Sequence, residues 1–257
     1  MSTNAPTDVL VVGATGSIGE LVVAESIRRG HRTRALVRDR GRTASLPGDA
    51  QIVVGDLTQA DTLTEAIDGV HAVVFTHGSH GGARAAELVD YGAVRNVLQV
   101  LGGRPARIAL MTAIGVTNPY PGHDWKRRSE RLVRASGLPY TIVRPGWFDY
   151  NQPDQLELVM LQGDRRHAGT PADGVVSRRQ IAEVLVASLS SPAAERKTLE
   201  LVAERGPAPT DLDPLFSALQ PDPQGALDAV LDIDNMPLSA EPTAVRQELA
   251  AFSARGR

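Results

Sequence analysis

Gly13, Gly16 and Gly19 stand three apart, with Thr15, Ser17 and Ile18 among them, and this spacing is the chain's strongest chemical signal. Main chain without Cβ atoms lets an anion come close to backbone N–H groups, and the hydroxyls of Thr15 and Ser17 add donors. Ahead of the glycines, Val9-Leu10-Val11-Val12 reads as a strand buried on both faces. Behind them, Leu21, Val22, Ala24, Glu25 and Ile27–Arg29 read as a helix closed by Gly30 at its C′ position. Strand, glycine turn and helix N-terminus together make a cradle for a pyrophosphate. Gly13 allows the sharp exit from the strand, Gly16 the approach of a phosphate, and Gly19 close helix–sheet packing. Simple N-capping by Thr15 or Ser17 is the structural alternative.

A pyrophosphate at this place implies a dinucleotide. The end of the second strand discriminates between the two common ones. It reads Ala35-Leu36-Val37-Arg38-Asp39, and the guanidinium of Arg38 suits a 2′-phosphate, with Arg40 and Arg42 close behind. That predicts NADP, with NADPH preferred over NADH; Asp39 turned toward a ribose is the competing reading. Gly55-Asp56-Leu57 follows the third strand, where Asp56 is placed to accept from an adenine amino group or to form an Asx turn. Thr76-His77-Gly78-Ser79 ends the fourth strand on the same edge. A loop histidine there reads as a passive hydrogen-bonding residue rather than an acid or base.

The elements that must position these residues alternate. Strands are expected at Val9–Val12, Thr33–Val37, Gln51–Val54, Ala72–Thr76, Arg107–Thr112, Tyr140–Arg144 and Thr198–Val202. Helical stretches fall near Asp61–Ile67, Ala83–Leu101, Asp124–Ala135 and Arg178–Leu189, the last opened by a Ser177-x-x-Gln180 capping box. Repeated β-α-β units predict an α/β fold, a doubly wound Rossmann-type parallel sheet of about seven strands. Residues 1–205 read as the nucleotide-binding domain, with a substrate loop around 147–176. Residues 206–257 hold seven prolines and eight acidic against three basic residues, and read as a small, partly helical extension (Leu212–Leu219, Val245–Phe252) packed on or near that domain. Such a tail is suited to cover the ligand crevice, pair subunits into a homodimer, or stay loosely ordered.

Composition excludes several classes. A formal charge of −3 and pI near 6.1 argue against a nucleic-acid binder. Without cysteine there is no disulfide, thiol catalysis or thiolate metal site, and no metal cluster is expected. Met1–Asp8 is short and polar, unlike a secretory signal, and no stretch approaches the roughly 18 apolar residues of a membrane span. These features predict a cytoplasmic protein without a membrane partner.

Together the motifs resemble the short-chain dehydrogenase/reductase superfamily, especially its atypical, NmrA-like branch, over roughly residues 8 to 203. The matching segments are Gly13–Gly19, Gly55-Asp56-Leu57, Met111-Thr112-Ala113-Ile114-Gly115, and the run from Lys126 through Glu130 and Arg134 to Arg144-Pro145-Gly146. The resemblance implies a seven-stranded Rossmann sheet carrying NADP, with Pro145, Gly146, Trp147 and Phe148 bordering the nicotinamide end. Typical members use Tyr-x-x-x-Lys with a Ser, the Lys lowering the pKa of the Tyr. Lys126 aligns with that Lys, but Gly122 stands four residues before it; Tyr120 is out of register, and the Ser position falls at Ala113 beside Thr112.

Lys126 is then expected to hold the nicotinamide ribose hydroxyls, or to pair with Glu130 one helical turn on. His123, supported by Asp124, is a candidate proton donor, so that Lys126, His123 and Thr112 form the candidate catalytic set. Hydride transfer to a quinone, flavin or extended enone avoids side-chain acids, since water can protonate the stabilised anion. Trp147-Phe148-Asp149-Tyr150-Asn151-Gln152-Pro153 carries three of the ten aromatic residues, a cluster suited to a flat, apolar ligand or to packing beneath the tail. The basic stretches Lys126-Arg127-Arg128 and Arg165-Arg166-His167 read as solvated faces. The expected activity is NADPH-dependent reduction of a planar conjugated small molecule such as a quinone or aromatic polyketide. A non-catalytic NADP(H) sensor, an oxygenase-like tailoring enzyme and an isomerase or epimerase are the rivals.

Overall fold

In the computed structural model, which describes residues 7–255, the alternation above becomes one sheet. The polar start at residues 1–6 and the last two residues lie outside the described residues. Strands β1 (Asp8–Val12), β2 (Arg32–Val37), β3 (Gln51–Val54), β4 (Ala72–Phe75), β5 (Arg107–Met111) and β6 (Tyr140–Pro145) run parallel. After β6 come β7 (Trp147–Phe148), β8 (Glu157–Leu161), β9 (Val175–Val176) and β10 (Lys197–Glu204). The main sheet has eight strands in the order β3-β2-β1-β4-β5-β6-β10-β8, and β7 pairs with β9 in a small separate ribbon. The expected count of about seven is therefore corrected to eight. The extra strand, β8, lies antiparallel at the edge against β10, inside the segment read from sequence as the substrate loop.

The helices are α1 (Gly19–Arg28), α2 (Thr64–Ile67), α3 (Gly82–Ala85), α4 (Gly92–Leu101), α5 (Pro121–Ala135), α6 (Arg178–Ser188), α7 (Asp213–Ala218) and α8 (Thr243–Arg255). A π-helical segment, Ala86–Tyr91, joins α3 to α4. The uninterrupted apolar run of β1 is explained by cover on both sides. Leu10 and Val12 pack toward α4, α5 and α8, whereas Val9 and Val11 pack toward α1 and α6. Each fully buried Val, Leu or Phe contributes about 1.5–3 kcal/mol, so these two clusters dominate what holds the layers together. The Ser177 capping box opens α6 as expected, with reciprocal bonds between Ser177 and Gln180.

β1 lies between β2 and β4, so the chain leaves it in opposite directions on its two sides. That is the topological switch point, where a crevice opens at the carboxyl ends of the strands. The Thr76 hydroxyl donates to the Val12 carbonyl at 3.0 Å and pins β4 to β1 there.

Candidate functional site

The glycine loop is shaped by its own carbonyl. Gly16 N–H donates to Gly13 O at 2.9 Å, closing a tight turn. A Cβ on Gly19 would lie 2.0 Å from that same oxygen, and Gly13, at φ +84°, would press a Cβ to 2.7 Å from His77 N. The demand on Gly19 thus comes from the loop, not from the helix–sheet packing expected of it. Helix α1 has no side-chain cap, so Thr15 and Ser17 do not N-cap it. Among the described residues, the N–H groups of Thr15, Ser17 and Ile18 meet no acceptor in the protein. Unpaired N–H groups at a helix N-terminus are what a phosphate requires. Here the residues present fit the group that the glycine spacing implies.

Around this loop stand the other residues expected to hold a nucleotide. Arg38 is exposed at the end of β2, and its guanidinium makes no hydrogen bond or ion pair among the described residues. Asp39 instead accepts from Gly41 N–H at 2.8 Å. Asp56 accepts from both Thr58 N–H and the Thr58 hydroxyl at 2.8 Å with one oxygen, the Asx turn foreseen as its structural role. Those bonds, with help from the Arg38 charge, hold its carboxyl below the usual range. Leu57 is half-buried against the core, its carbonyl accepting from Asn96 Nδ2 at 2.7 Å.

Lys126 does not pair with Glu130. Its Nζ donates to Asp90 Oδ1 at 2.8 Å, and Asp90, buried in the π-helical segment, also accepts from Ser79 N–H at 3.1 Å. A π-bulge of this kind commonly marks a functional stretch of helix. Beside it His77 is buried, with Nδ1 lacking any partner among the described residues. Burial drives its pKa down to about 4, so the ring is neutral at pH 7. Thr112 is buried under β5, its hydroxyl donating to Glu130 Oε1 at 2.7 Å, so that proton is committed away from any ligand.

A cavity of about 420 Å³ opens beyond β5 and β6. Its walls are Ala113, Ile114, Gly115, His123, Pro145, Gly146, Trp147, Phe148, Tyr150 and His167, with Arg178 at one side. Trp147 and Tyr150 meet edge to face at 6.0 Å and stay exposed, so they are not packing beneath the tail. His123 is not supported by Asp124: its Nδ1 donates to the Gly115 carbonyl at 2.9 Å, and it sits within α5, whose N-cap is Tyr120. Asp124, in the first turn, is therefore not the cap. Asp164, at φ +44° and buried, accepts from Gly115 N–H at 2.6 Å and Thr117 N–H at 2.7 Å and so fixes the cavity wall. A larger cleft of about 580 Å³, lined by Arg28, Arg29, Arg179 and Glu183, shares no residue with the glycine loop or this cavity.

Arg178 and Asp90 were missed by sequence reasoning; Asp149 was named only as part of the aromatic segment, and His167, read as part of a solvated face, lines the cavity. Arg178 opens α6, and its Nε donates to Ser17 Oγ at 3.0 Å while a terminal nitrogen pairs with Asp149 Oδ2. Its one sequence signal is its place directly after the Ser177 cap. Asp90 carries no local pattern that marks it.

The helix α5 arginines are not solvated. Arg127 and Arg131 bind Asp228, Arg128 and Arg131 bind Glu241, and Arg134 reaches Asp222. The tail thereby lies along α5, while α8 adds Val245, Leu249 and Phe252 to the core. Tail residue Asn235 donates to Thr117 O at 2.9 Å, yet among the described residues none after 205 lines the aromatic cavity. Deeper still, Glu130 accepts from Arg144 at 3.0 and 2.7 Å and from Arg134 at 3.3 Å; these charges pull its carboxyl down to about 2 against its burial.

Comparison with known proteins agrees with this cradle. The chain belongs to the NAD(P)H-binding family, whose match covers residues 13–192. A nicotinamide dinucleotide is thus the family's ligand, and the atypical short-chain dehydrogenase/reductase resemblance stands. Protein TIC 62, chloroplastic, of Arabidopsis thaliana is 26% identical over 94% of this chain and 44% of its own length. Sanguinarine reductase of Eschscholzia californica is 25% identical over 81% of this chain and 94% of its own length. The chain spans about half or less of the length of several curated relatives it matches. Among solved structures, a candidate NAD-dependent epimerase/dehydratase from Bacillus halodurans aligns with a TM-score of 0.69 and 25% identity, over 83% of this chain and all of its own. Among the described residues no helix is long and apolar enough to cross a membrane.

Proposed function

We propose that the protein is an NADPH-dependent reductase of a planar, conjugated small molecule such as a quinone or aromatic polyketide. The observation that carries this reading is the apolar cavity with its exposed Trp147 and Tyr150 rings, on the same strand edge as the glycine loop. Leaving such rings in water forgoes the burial free energy that a flat ligand would recover. Residues Gly13 to Ile18, Arg38, Asp56, Leu57, Thr76, Lys126, Pro145, Gly146 and Trp147 would hold the dinucleotide. When bound, its reduced nicotinamide supplies a hydride.

The chain's own residues do the rest. Asp90 keeps the Lys126 ammonium in place at the end of β4, where it can meet ribose hydroxyls. The Gly115 carbonyl fixes the His123 ring by Nδ1, and Nε2, which meets no hydrogen-bond partner among the described residues, can deliver a proton to a reduced oxygen in the cavity. Trp147, Phe148 and Tyr150 hold the acceptor flat and keep water from one side of it. Incubation with NADPH and a panel of quinones, flavins and enones, read at the reduced-nicotinamide absorbance band, tests the proposal. Oxidation of NADPH dependent on a planar acceptor supports it. Tight NADPH binding with no turnover refutes it in favour of a sensor, and oxygen uptake coupled to NADPH loss would refute it in favour of an oxygenase-like enzyme.

A further inference from the structure

We infer that Arg178 is a diphosphate ligand of the bound dinucleotide, lent to the glycine loop from the far side of the crevice. The inference rests on the dinucleotide reading of that loop. Its guanidinium Nε is 3.0 Å from Ser17 Oγ. Among the described residues it is the only charged side chain hydrogen-bonded to residues 13–18. The unpaired N–H groups of Thr15, Ser17 and Ile18 define where the phosphates sit, and a hydroxyl in that cradle already touches this cation. A dinucleotide diphosphate carries two negative charges, and a planar guanidinium can serve two of its oxygens at once.

The side chain is also built in. Asp149 accepts from the Arg178 backbone N–H at 2.9 Å with one oxygen and from the guanidinium with the other. It does so from a left-handed conformation, φ +58°, that L-residues seldom adopt. The Phe148 ring lies 5.4 Å from the guanidinium carbon. With Nη1 held by Asp149 and Nε by Ser17, Nη2 is the guanidinium nitrogen left for a phosphate oxygen. Because Asp149 and Phe148 belong to the aromatic segment, occupancy of the diphosphate site and the shape of the acceptor cavity share one side chain.

Isothermal calorimetry of the full chain with NADPH and with NADH tests this. Both share the diphosphate, so Arg178→Ala should weaken both by the same factor, about 10- to 100-fold, with Arg178→Lys between it and the unaltered protein. Asp149→Asn, which loosens the tether but keeps the cation, should weaken both by less than Arg178→Ala does. Unchanged affinities in a folded Arg178→Ala protein would overturn the assignment, as would a loss confined to NADPH, which would place the arginine at the 2′-phosphate. Equal losses in Asp149→Asn and Arg178→Ala would also overturn it, since loop shape would then be the cause. If the unaltered protein binds neither nucleotide, the dinucleotide reading itself fails, a result distinct from all of these.

Discussion

Replacing Glu200 by Gln should stabilise the protein, and increasingly so as pH rises. Glu200 lies on β10, buried beside Arg144, which already pairs with Glu130 and Asp232. Counting this cluster, the cations Arg134 and Arg144 face the carboxylates of Glu130, Asp222 and Asp232, so a fourth ionised acid would add to a negative excess. Burial, opposed by Arg144 but reinforced by Asp164 and Asp232, pushes the Glu200 carboxyl up to about 8 from an ordinary 4.5. The folded protein therefore keeps a proton that the unfolded chain releases above about pH 4.5. Stability from this group is complete below that value and is lost as pH climbs toward 8.

At about 1.36 kcal/mol per pH unit, holding Glu200 neutral at pH 7 costs about 3 kcal/mol. Gln has the shape of the protonated acid, keeps an acceptor for Arg144 and carries no such cost. A chain of this size shifts by about 2–4 °C per kcal/mol, so Glu200→Gln should melt about 6–12 °C higher at pH 7. At pH 4.5 the two proteins should melt together. Differential scanning calorimetry between pH 4.5 and 8 reads both numbers. A gain that does not grow with pH, or a variant that melts below the natural protein at pH 8, would refute the reasoning.

Glu130→Gln should do the opposite, because it removes the buried carboxylate that Arg144 and Arg134 share, leaving Arg144 with Asp232 and Arg134 with Asp222. Removing one partner of a buried ion pair costs about 3–5 kcal/mol, read as a lowered urea midpoint at pH 7. Below pH 4.5 that deficit should shrink, since Glu130 contributes stability that is itself lost as pH falls toward 2. Arg38→Ala should weaken NADPH binding about 10- to 100-fold by calorimetry while changing NADH little; an equal loss for both would end its 2′-phosphate role. His123→Ala should lower kcat with a planar acceptor by about 100-fold or more if its proton is used. An unchanged rate would assign protonation to water.

What was legible in the sequence was local. Strand, glycine turn and helix occupy Asp8 to Arg28, and each sets the next through contacts within a few residues. The Ser177 box is equally self-contained. The charges on α5 were not legible, because their partners lie far along the chain: Arg127 and Arg131 meet Asp228, and Arg131 meets Glu241. Helical spacing offered Lys126 a neighbour in Glu130, but tertiary packing gave the lysine Asp90 and gave Glu130 two buried arginines. β8 was hidden for a related reason. Leu158-Val159-Met160-Leu161 is apolar without alternation, and its role as an antiparallel edge depends on β10, some forty residues later. His123 was seen, but the acceptor orienting it is a carbonyl, which leaves no mark in a side-chain pattern.

The interior charges and the cavity are one construction, and Asp164 joins them. Its two oxygens are committed to Gly115 and Thr117 N–H groups, which hold the loop that carries His123's acceptor carbonyl. Its backbone N–H faces the Glu200 carboxyl, and its charge is among the causes that lift Glu200. The proton therefore rests on Glu200, whose partners include a single weak contact to Arg144 at 3.5 Å. On this account Glu200→Gln should raise stability without moving the cavity wall, whereas Asp164→Asn should free Gly115 and disturb the ring of His123. A reductase assay run on both variants separates the two: acceptor turnover preserved in the first and impaired in the second is the outcome the geometry requires.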